Sequence, residues 1–244
     1  MARILNEQEY AVRRNEILDA ALRLVYTRGY EQMTIQDILD DLQISKGAFY
    51  HYFDSKTALL EALIERMMQE AVQIITPIID DPHLPALEKF QRYFDTVARW
   101  KTAQKTLMLA LLRVWYTDDN AIVRQKVTSS GLKRITPLLT AIIRQGVQEG
   151  VFLTPHPDQV CAVAFSIMLG LGDSLAETLL AHKSESETLQ VMQNTVAAYT
   201  DALERVLAAP SGCLQLIDEQ SLKEWATPAR SSGVTPDDLA GVTP

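Results

Sequence analysis

Cysteine is almost missing from this chain: Cys161 and Cys213 are the only two in 244 residues. Two thiols cannot build a disulfide framework, and this pair lacks the short spacing of metal ligands. Glycine and proline are scarce too, ten of each, and four prolines (Pro210, Pro228, Pro236, Pro244) fall near the end. Collagen-like and low-complexity readings of the body are thereby excluded. No run of roughly 18 uncharged apolar residues occurs, and the opening MARILNEQEYAVRR has no apolar core of a signal peptide. A cytoplasmic chain without a membrane partner is expected. Catalytic signatures are missing as well: there is no G-x-S-x-G, H-E-x-x-H, P-loop or dinucleotide glycine pattern. Ser130-Gly131-Leu132-Lys133 fits S-x-x-K, but its companions S-D-N and K-T-G are absent. His51, His83, His156 and His182 stand far apart, none beside a second ligand at zinc spacing. No catalytic residues, no metal and no cofactor are expected. Positive charge is also in deficit: 23 Lys and Arg against 31 Asp and Glu leave a net charge of −8. Taken alone, that argues against a nucleic-acid partner, which selects a basic surface.

What the chain does have is helical periodicity. With 47% hydrophobic residues it can fill a core. Ile17, Ala21, Leu24 and Val25 recur at i, i+4, i+7 and i+8, and Leu60, Leu63, Ile64, Met67, Ala71 and Ile75 repeat the pattern. Alternating apolar and polar stretches and Asn-Gly or Asp-Gly turns are missing, so the fold is all-α. Gly29 ends a first helix. Thr34 caps a second, with Asp37 completing a capping box. Ser45 caps a third and Asp54-Ser55 a fourth, which Pro77 and Asp80-Asp81-Pro82 stop. Further helices are predicted at 84–103, 106–117, 120–149 (bent at Pro137), 157–181 and 185–208. The implied division is residues 1–55, 56–208, and a mostly irregular tail, 209–244, in which only 214–225 suits a short amphipathic helix.

Residues 34–56, TIQDILDDLQISKGAFYHYFDSK, concentrate the chemistry. Two helices of about eight residues, joined by a turn at Leu42-Gln43-Ile44, are too short to stand alone. Ile35, Ile38, Leu39, Leu42, Ile44, Phe49 and Phe53 give them an apolar side on which to pack. The third helix then presents Lys46, Gly47 and Ala48, small residues beside a cation, with Tyr50 and Tyr52 nearby. Such a helix suits the DNA major groove. Hydroxyls and ammonium groups suit phosphate oxygens, which fix register without reading sequence, and Lys56 opens a helix whose N-terminus also favours an anion. An ordinary helical hairpin with one surface lysine is the alternative reading of the same composition.

Residues 10–64 resemble the DNA-binding head of the TetR (tetracycline repressor) family of bacterial transcription regulators. The resemblance rests on Arg28-Gly29-Tyr30, Thr34, Ile38, Ile44-Ser45-Lys46-Gly47-Ala48-Phe49-Tyr50-His51-Tyr52-Phe53, Ser55-Lys56 and Leu59-Leu60. It implies an N-terminal three-helix helix-turn-helix head followed by a larger helical ligand-binding and dimerisation domain. It further implies phosphate contacts from Thr34, Tyr50, Tyr52 and Lys56, and groove contacts from Gln36, Lys46, Gly47 and Ala48, with Ser45 as the cap between. His51 either joins the DNA-binding set or half-packs against the fourth helix. Gln43 departs from the family, which often has glycine at this turn because a left-handed φ is easy only there. A glutamine either tolerates that conformation at about 1 kcal/mol or shapes the turn differently.

Beyond the head the resemblance is one of helical pattern. Ala162, Ser166, Gly170, Ser174 and Thr178 recur every fourth residue, a small-residue ridge that permits close helix crossing and drifts about 40° per step. It serves either a homodimer contact or close packing within one subunit. Trp100, Met108, Leu112, Trp115, Tyr116, Phe165 and Met168 are candidates for the wall of an effector pocket, apolar with a few polar tips, or for plain core. The function expected is a repressor released from a double-stranded DNA operator by a small-molecule effector. The alternative is a ligand-binding or adaptor protein with a non-functional DNA-binding head.

Charge remains the objection. Residues 1–60 hold seven basic and nine acidic side chains, a net −2, so the head is not basic even by itself. Only locally does the sign change: Lys46 and Lys56 outnumber Asp54 within 43–56, and Arg3, Arg13 and Arg14 add an N-terminal basic arm. The orientation of Asp37, Asp40 and Asp41 then decides whether phosphate can approach.

Overall fold

The computed structural model describes residues 2–181 and 183–227, with side chains from Glu7 onward. Among the described residues ten α-helices follow in order: α1 (Ala2–Arg28), α2 (Ile35–Leu42), α3 (Lys46–Tyr52), α4 (Lys56–Asp80), α5 (Ala86–Ala103), α6 (Lys105–Trp115), α7 (Ala121–Gln148), α8 (Pro157–Leu180), α9 (Glu185–Leu207) and α10 (Glu219–Ala226). A 3-10 turn, Asp118–Asn120, precedes α7. No strand occurs among the described residues. The fold is all-α, as the periodicity requires.

Local chemistry sets the boundaries. Gly29 takes φ +79° after α1, and its N–H donates to Val25 O at 3.0 Å. Thr34 and Asp37 form both halves of the capping box, and the Ser45 and Ser55 hydroxyls accept from the amides of Ala48 and Ala58. Each cap satisfies a donor that the helix cannot pair by itself. Gly150, at φ +73°, turns the chain after α7.

Three expectations change. Pro77 does not stop α4, which runs on to Asp80 and ends at the expected Asp80-Asp81-Pro82 stop. Proline removes one helical hydrogen bond, but Ile75 and Ile79, one turn apart and 1% and 5% exposed, carry the helix into the core. Burial of two such side chains contributes about 3–6 kcal/mol, and Lys89, itself buried, donates to Ile79 O at 2.6 Å. The basic arm is not an arm: residues 2–28 are one helix. Arg13 pairs with Glu16 at 2.7 Å and the Arg14 guanidinium lies 4.9 Å over the Phe53 ring, while the Arg3 side chain lies outside the described residues. In the tail, α10 is shorter than 214–225. Leu214 and Leu216 are buried from the link that precedes it. Pro228, Pro236 and Pro244 lie outside the described residues.

The helices group into two compact units. Among the described residues, one comprises 2–67 with Thr106–Val127, and the other Met68–Lys105 with 128–227. The first buries Ile17, Leu18, Val25, Met33, Ile38, Phe49, Phe53, Leu59, Leu60 and Leu63. In the second, Phe90, Phe94, Leu139, Ile142, Ile143, Phe152, Leu203 and Leu207 form the centre of a larger core. There α8 and α9 lie close together: a side chain on Gly170 would come within 3.1 Å of the Tyr199 hydroxyl, whose oxygen is 3.2 Å from Ser174 Oγ. By length and composition α8 is apolar enough to cross a membrane. Asp158 and Asp173 interrupt it, and it buries Val160, Cys161, Ala164, Phe165 and Leu171 in the protein.

Candidate nucleic-acid interface

The turn between α2 and α3 sets the interface. Gln43 adopts φ 51°, ψ 43°, the left-handed conformation that glycine would take without cost, and its N–H and that of Ile44 both donate to Leu39 O. The chain therefore reverses sharply, and α3 buries one side, through Phe49 with Phe53 just beyond it, their rings 5.9 Å apart. The opposite side is left to solvent: Lys46, Gly47, Tyr50 and His51 are exposed and Ala48 is half-buried. The Lys46 ammonium lies 5.9 Å over the Tyr50 ring. Gly47 has open space around it, because an added Cβ would meet only Ser45 Oγ, at 3.9 Å.

The acidic residues of α2 are spoken for. Asp37 accepts from the Thr34 hydroxyl at 2.7 Å and from its amide at 2.8 Å, and pairs with Arg28 at 2.8 Å. The Thr34 hydroxyl bond first, then the Thr34 amide, hold the Asp37 carboxyl below the usual range, with Arg28 assisting. Asp41 pairs with Arg23 at 2.7 Å, and Asp40 accepts from the exposed Gln36 amide at 2.8 Å. Two of the three carboxylates are thus held against arginines of α1, where their charge is locally compensated, although exposed pairs of this kind add little stability.

Lys56 is held on both sides. Its ammonium donates to Glu31 O at 3.2 Å and lies 4.4 Å over the Tyr30 ring, while the Tyr30 hydroxyl donates to Lys56 O at 2.9 Å. Burial lowers its pKa, partly opposed by Glu31 and Asp37, and pushes Tyr30 up to about 12. With at least one of three ammonium hydrogens committed, Lys56 keeps capacity for a second acceptor. Thr34 is exposed but already both accepts and donates within its capping box.

Tyr52 and His51 pack on Tyr10 of α1. The Tyr10 ring stands 4.8 Å from Tyr52 and 5.6 Å from His51, and these two are 5.0 Å apart. Beside them lies a cavity of about 640 Å³ lined also by Val12, Arg13 and Glu16. Tyr10 belongs to this side of the head and was not anticipated. The i, i+3 pairing of Arg13 with Glu16 was the available sign that α1 extends so far forward.

The other predicted residues scatter. Trp100, Phe165 and Met168 fall in the second unit; Met108, Leu112, Trp115 and Tyr116 fall in the first. Phe165 is buried and the other six are half-buried. Arg124 donates to Trp115 O at 2.6 Å and lies 5.7 Å from the Tyr116 ring, closing the end of α6. Of the ridge on α8, Gly170 and Ser174 meet Tyr199 of α9 and Thr178 is buried, whereas Ala162 and Ser166 are exposed. No group of three or more His, Cys, Asp or Glu side chains able to hold a metal occurs among the described residues. His182 lies outside them.

Two short helices at a left-handed turn, braced by α1 and presenting one polar side, define a helix-turn-helix protein. Residues 17–63 match the family model for bacterial regulatory proteins, tetR family. Residues 17–63 are thus similar to the head of the TetR family, and beyond them the likeness is one of fold. The chain is 24% identical over 95 residues to the transcriptional repressor DhaR of Mycobacterium sp. strain GP1, covering 39% of this chain and 48% of that one. It is 44% identical over 52 residues to an uncharacterised helix-turn-helix regulator of Lactococcus lactis, covering 21% and 26%. The matches thus span about half and a quarter of those relatives. The crystal structure of a TetR-family regulator from Pectobacterium atrosepticum has the same fold, with TM-score 0.65 and 19% identity over 83% of this chain and 98% of that one.

Proposed function

We propose that this chain is a DNA-binding transcription repressor. It acts in the bacterial cytoplasm as a homodimer, and a small-molecule effector releases it from a double-stranded operator. In this reading residues 1–55 bind DNA, and residues 56–208 bind the effector and pair the subunits. Two symmetry-related heads match two half-sites. Ala162 and Ser166, the exposed part of the α8 ridge, are assigned to the dimer contact. A ligand favouring one separation of the heads shifts the population away from the DNA-bound form. Repression is supported by the names of relatives such as DhaR and KstR2 of Rhodococcus jostii.

The observation that carries the reading is Gly47. A glycine in a seven-residue helix costs up to about 1 kcal/mol relative to alanine, and nothing inside the chain requires it, since a Cβ would meet no atom closer than 3.9 Å. Close approach of an outside partner explains it, and the exposed Lys46, Tyr50 and Gln36 supply cationic and polar groups for phosphates and base edges. Gly47→Ala is therefore expected to stabilise the head or leave it unchanged while lowering affinity at least tenfold for a duplex selected from random DNA. Undiminished affinity overturns the assignment of this surface. Wild-type protein that binds no duplex favours an adaptor with a non-functional head.

A further inference from the structure

Residues 208–227 lie across the second unit in a way that neither the head nor an effector site requires. Four apolar side chains, Leu214, Leu216, Leu222 and Ala226, are buried in the core. Polar contacts then select where the segment sits. The buried Glu204 carboxylate accepts from the amides of Gly212 at 2.9 Å and Leu214 at 2.8 Å. The Gln91 amide meets both edges of Gln215, donating to its carbonyl at 2.9 Å and accepting from its N–H at 3.0 Å.

The last contacts fall at one joint. Helices α5 and α6 are separated by Gln104 alone, at φ −106°, ψ 21°. On the α5 side, Trp225 Nε1 donates to Thr102 Oγ1 at 2.9 Å. On the α6 side, the Lys105 ammonium donates to Glu224 O and, at 2.6 Å, to Thr227 O. These carbonyls close the C-terminus of α10, where unpaired acceptors and the helix dipole favour a cation. Thr227 Oγ1 in turn donates to Glu185 Oε1 at 2.9 Å, which ties the same point to the start of α9. Immediately after Lys105 the chain leaves the second unit and enters the first, which contains the helix-turn-helix.

We infer that this segment is a latch on the α5–α6 joint, and that its hold on Thr102 and Lys105 sets the DNA affinity of the protein. The inference rests on the repressor reading above. Loosening these bonds is expected to change the balance between DNA-bound and released forms.

Full-length Lys105→Met and Trp225→Phe, singly and together, test the latch: the first keeps the apolar stem and removes the ammonium, and the second keeps an aromatic ring while removing the Nε1 donor with part of the indole. Lys223→Ala, on the exposed side of α10 where Lys223 pairs with Glu219, is the control. Hydrogen exchange of the amides at 100–108 is expected to accelerate at least tenfold in the double variant and not in the control. Affinity for the selected duplex is expected to shift at least threefold. Unchanged exchange overturns the latch; faster exchange with unchanged affinity overturns its control of DNA binding. Wild-type protein that binds no duplex overturns the repressor reading and the control with it, while the exchange result still decides the latch.

Discussion

Gln43→Gly isolates the energetics of the turn that aims α3. Gln43 is held at φ 51°, ψ 43°, where an L side chain costs about 1–2 kcal/mol through its Cβ. Glycine removes that cost but loses about 0.5–1 kcal/mol more conformational entropy on folding. The difference leaves a net stabilisation of about 0.5–1 kcal/mol. The turn's hydrogen bonds survive the change, since the donors to Leu39 O are the backbone N–H groups of Gln43 and Ile44, and the exposed Gln43 side chain fills no core position. In a chain of this length the gain corresponds to a rise in melting temperature of about 1–4 °C. Because two compact units need not unfold together, the head is best followed by urea-dependent hydrogen exchange of the α2 and α3 amides. Gln43→Val is the opposing control: a β-branched side chain at positive φ is expected to destabilise by more than 1 kcal/mol. A destabilised glycine variant, or a valine variant equal to wild type, would refute the reasoning.

Two further expectations concern stability. A Cβ on Gly146 would stand 2.2 Å from Phe152 Cδ2, a ring with no exposed surface, so Gly146→Ala is expected to cost about 3 kcal/mol or more in urea unfolding of the second unit, and a cost below 1 kcal/mol would contradict the packing. Asp37 has a folded-state pKa below its unfolded value. Its stabilising effect is therefore complete at neutral pH and is lost as the pH falls from about 4, the unfolded value, through the lowered folded one. Asp37→Asn should remove that part of the acid sensitivity, visible when unfolding curves of both proteins are compared from neutral pH downward; parallel curves would discard the contribution.

Much of the helical frame was legible because its signals are local. A serine or threonine needs only the amide three residues ahead to cap a helix, so Thr34, Ser45 and Ser55 marked starts that the folded chain keeps. Gly29 and Gly150 marked ends for the same reason. Pro77 misled because its local penalty was weighed without the burial of Ile75 and Ile79, a term that exists only once the core is assembled. The basic arm differs for a related reason: the i, i+3 pair of Arg13 with Glu16 is local, but the partner of Arg14, the Phe53 ring just beyond α3, comes only with the fold.

The sequence by itself determined an all-α chain, its capped helices and the surface composed of Lys46, Gly47 and Tyr50. Each follows from residues within one or two turns of one another, or from a motif of fixed spacing. Only the tertiary structure decided what neutralises the acidic side of α2, since Arg23 with Asp41 and Arg28 with Asp37 are joined across a helix boundary. It alone showed that His51 and Tyr52 rest on Tyr10, and that Lys105 is gripped from more than a hundred residues away. Net charge is a sum over the chain, whereas a phosphate meets only the charges that folding leaves facing it. That is why a net charge of −8 does not by itself exclude the proposed nucleic-acid interface.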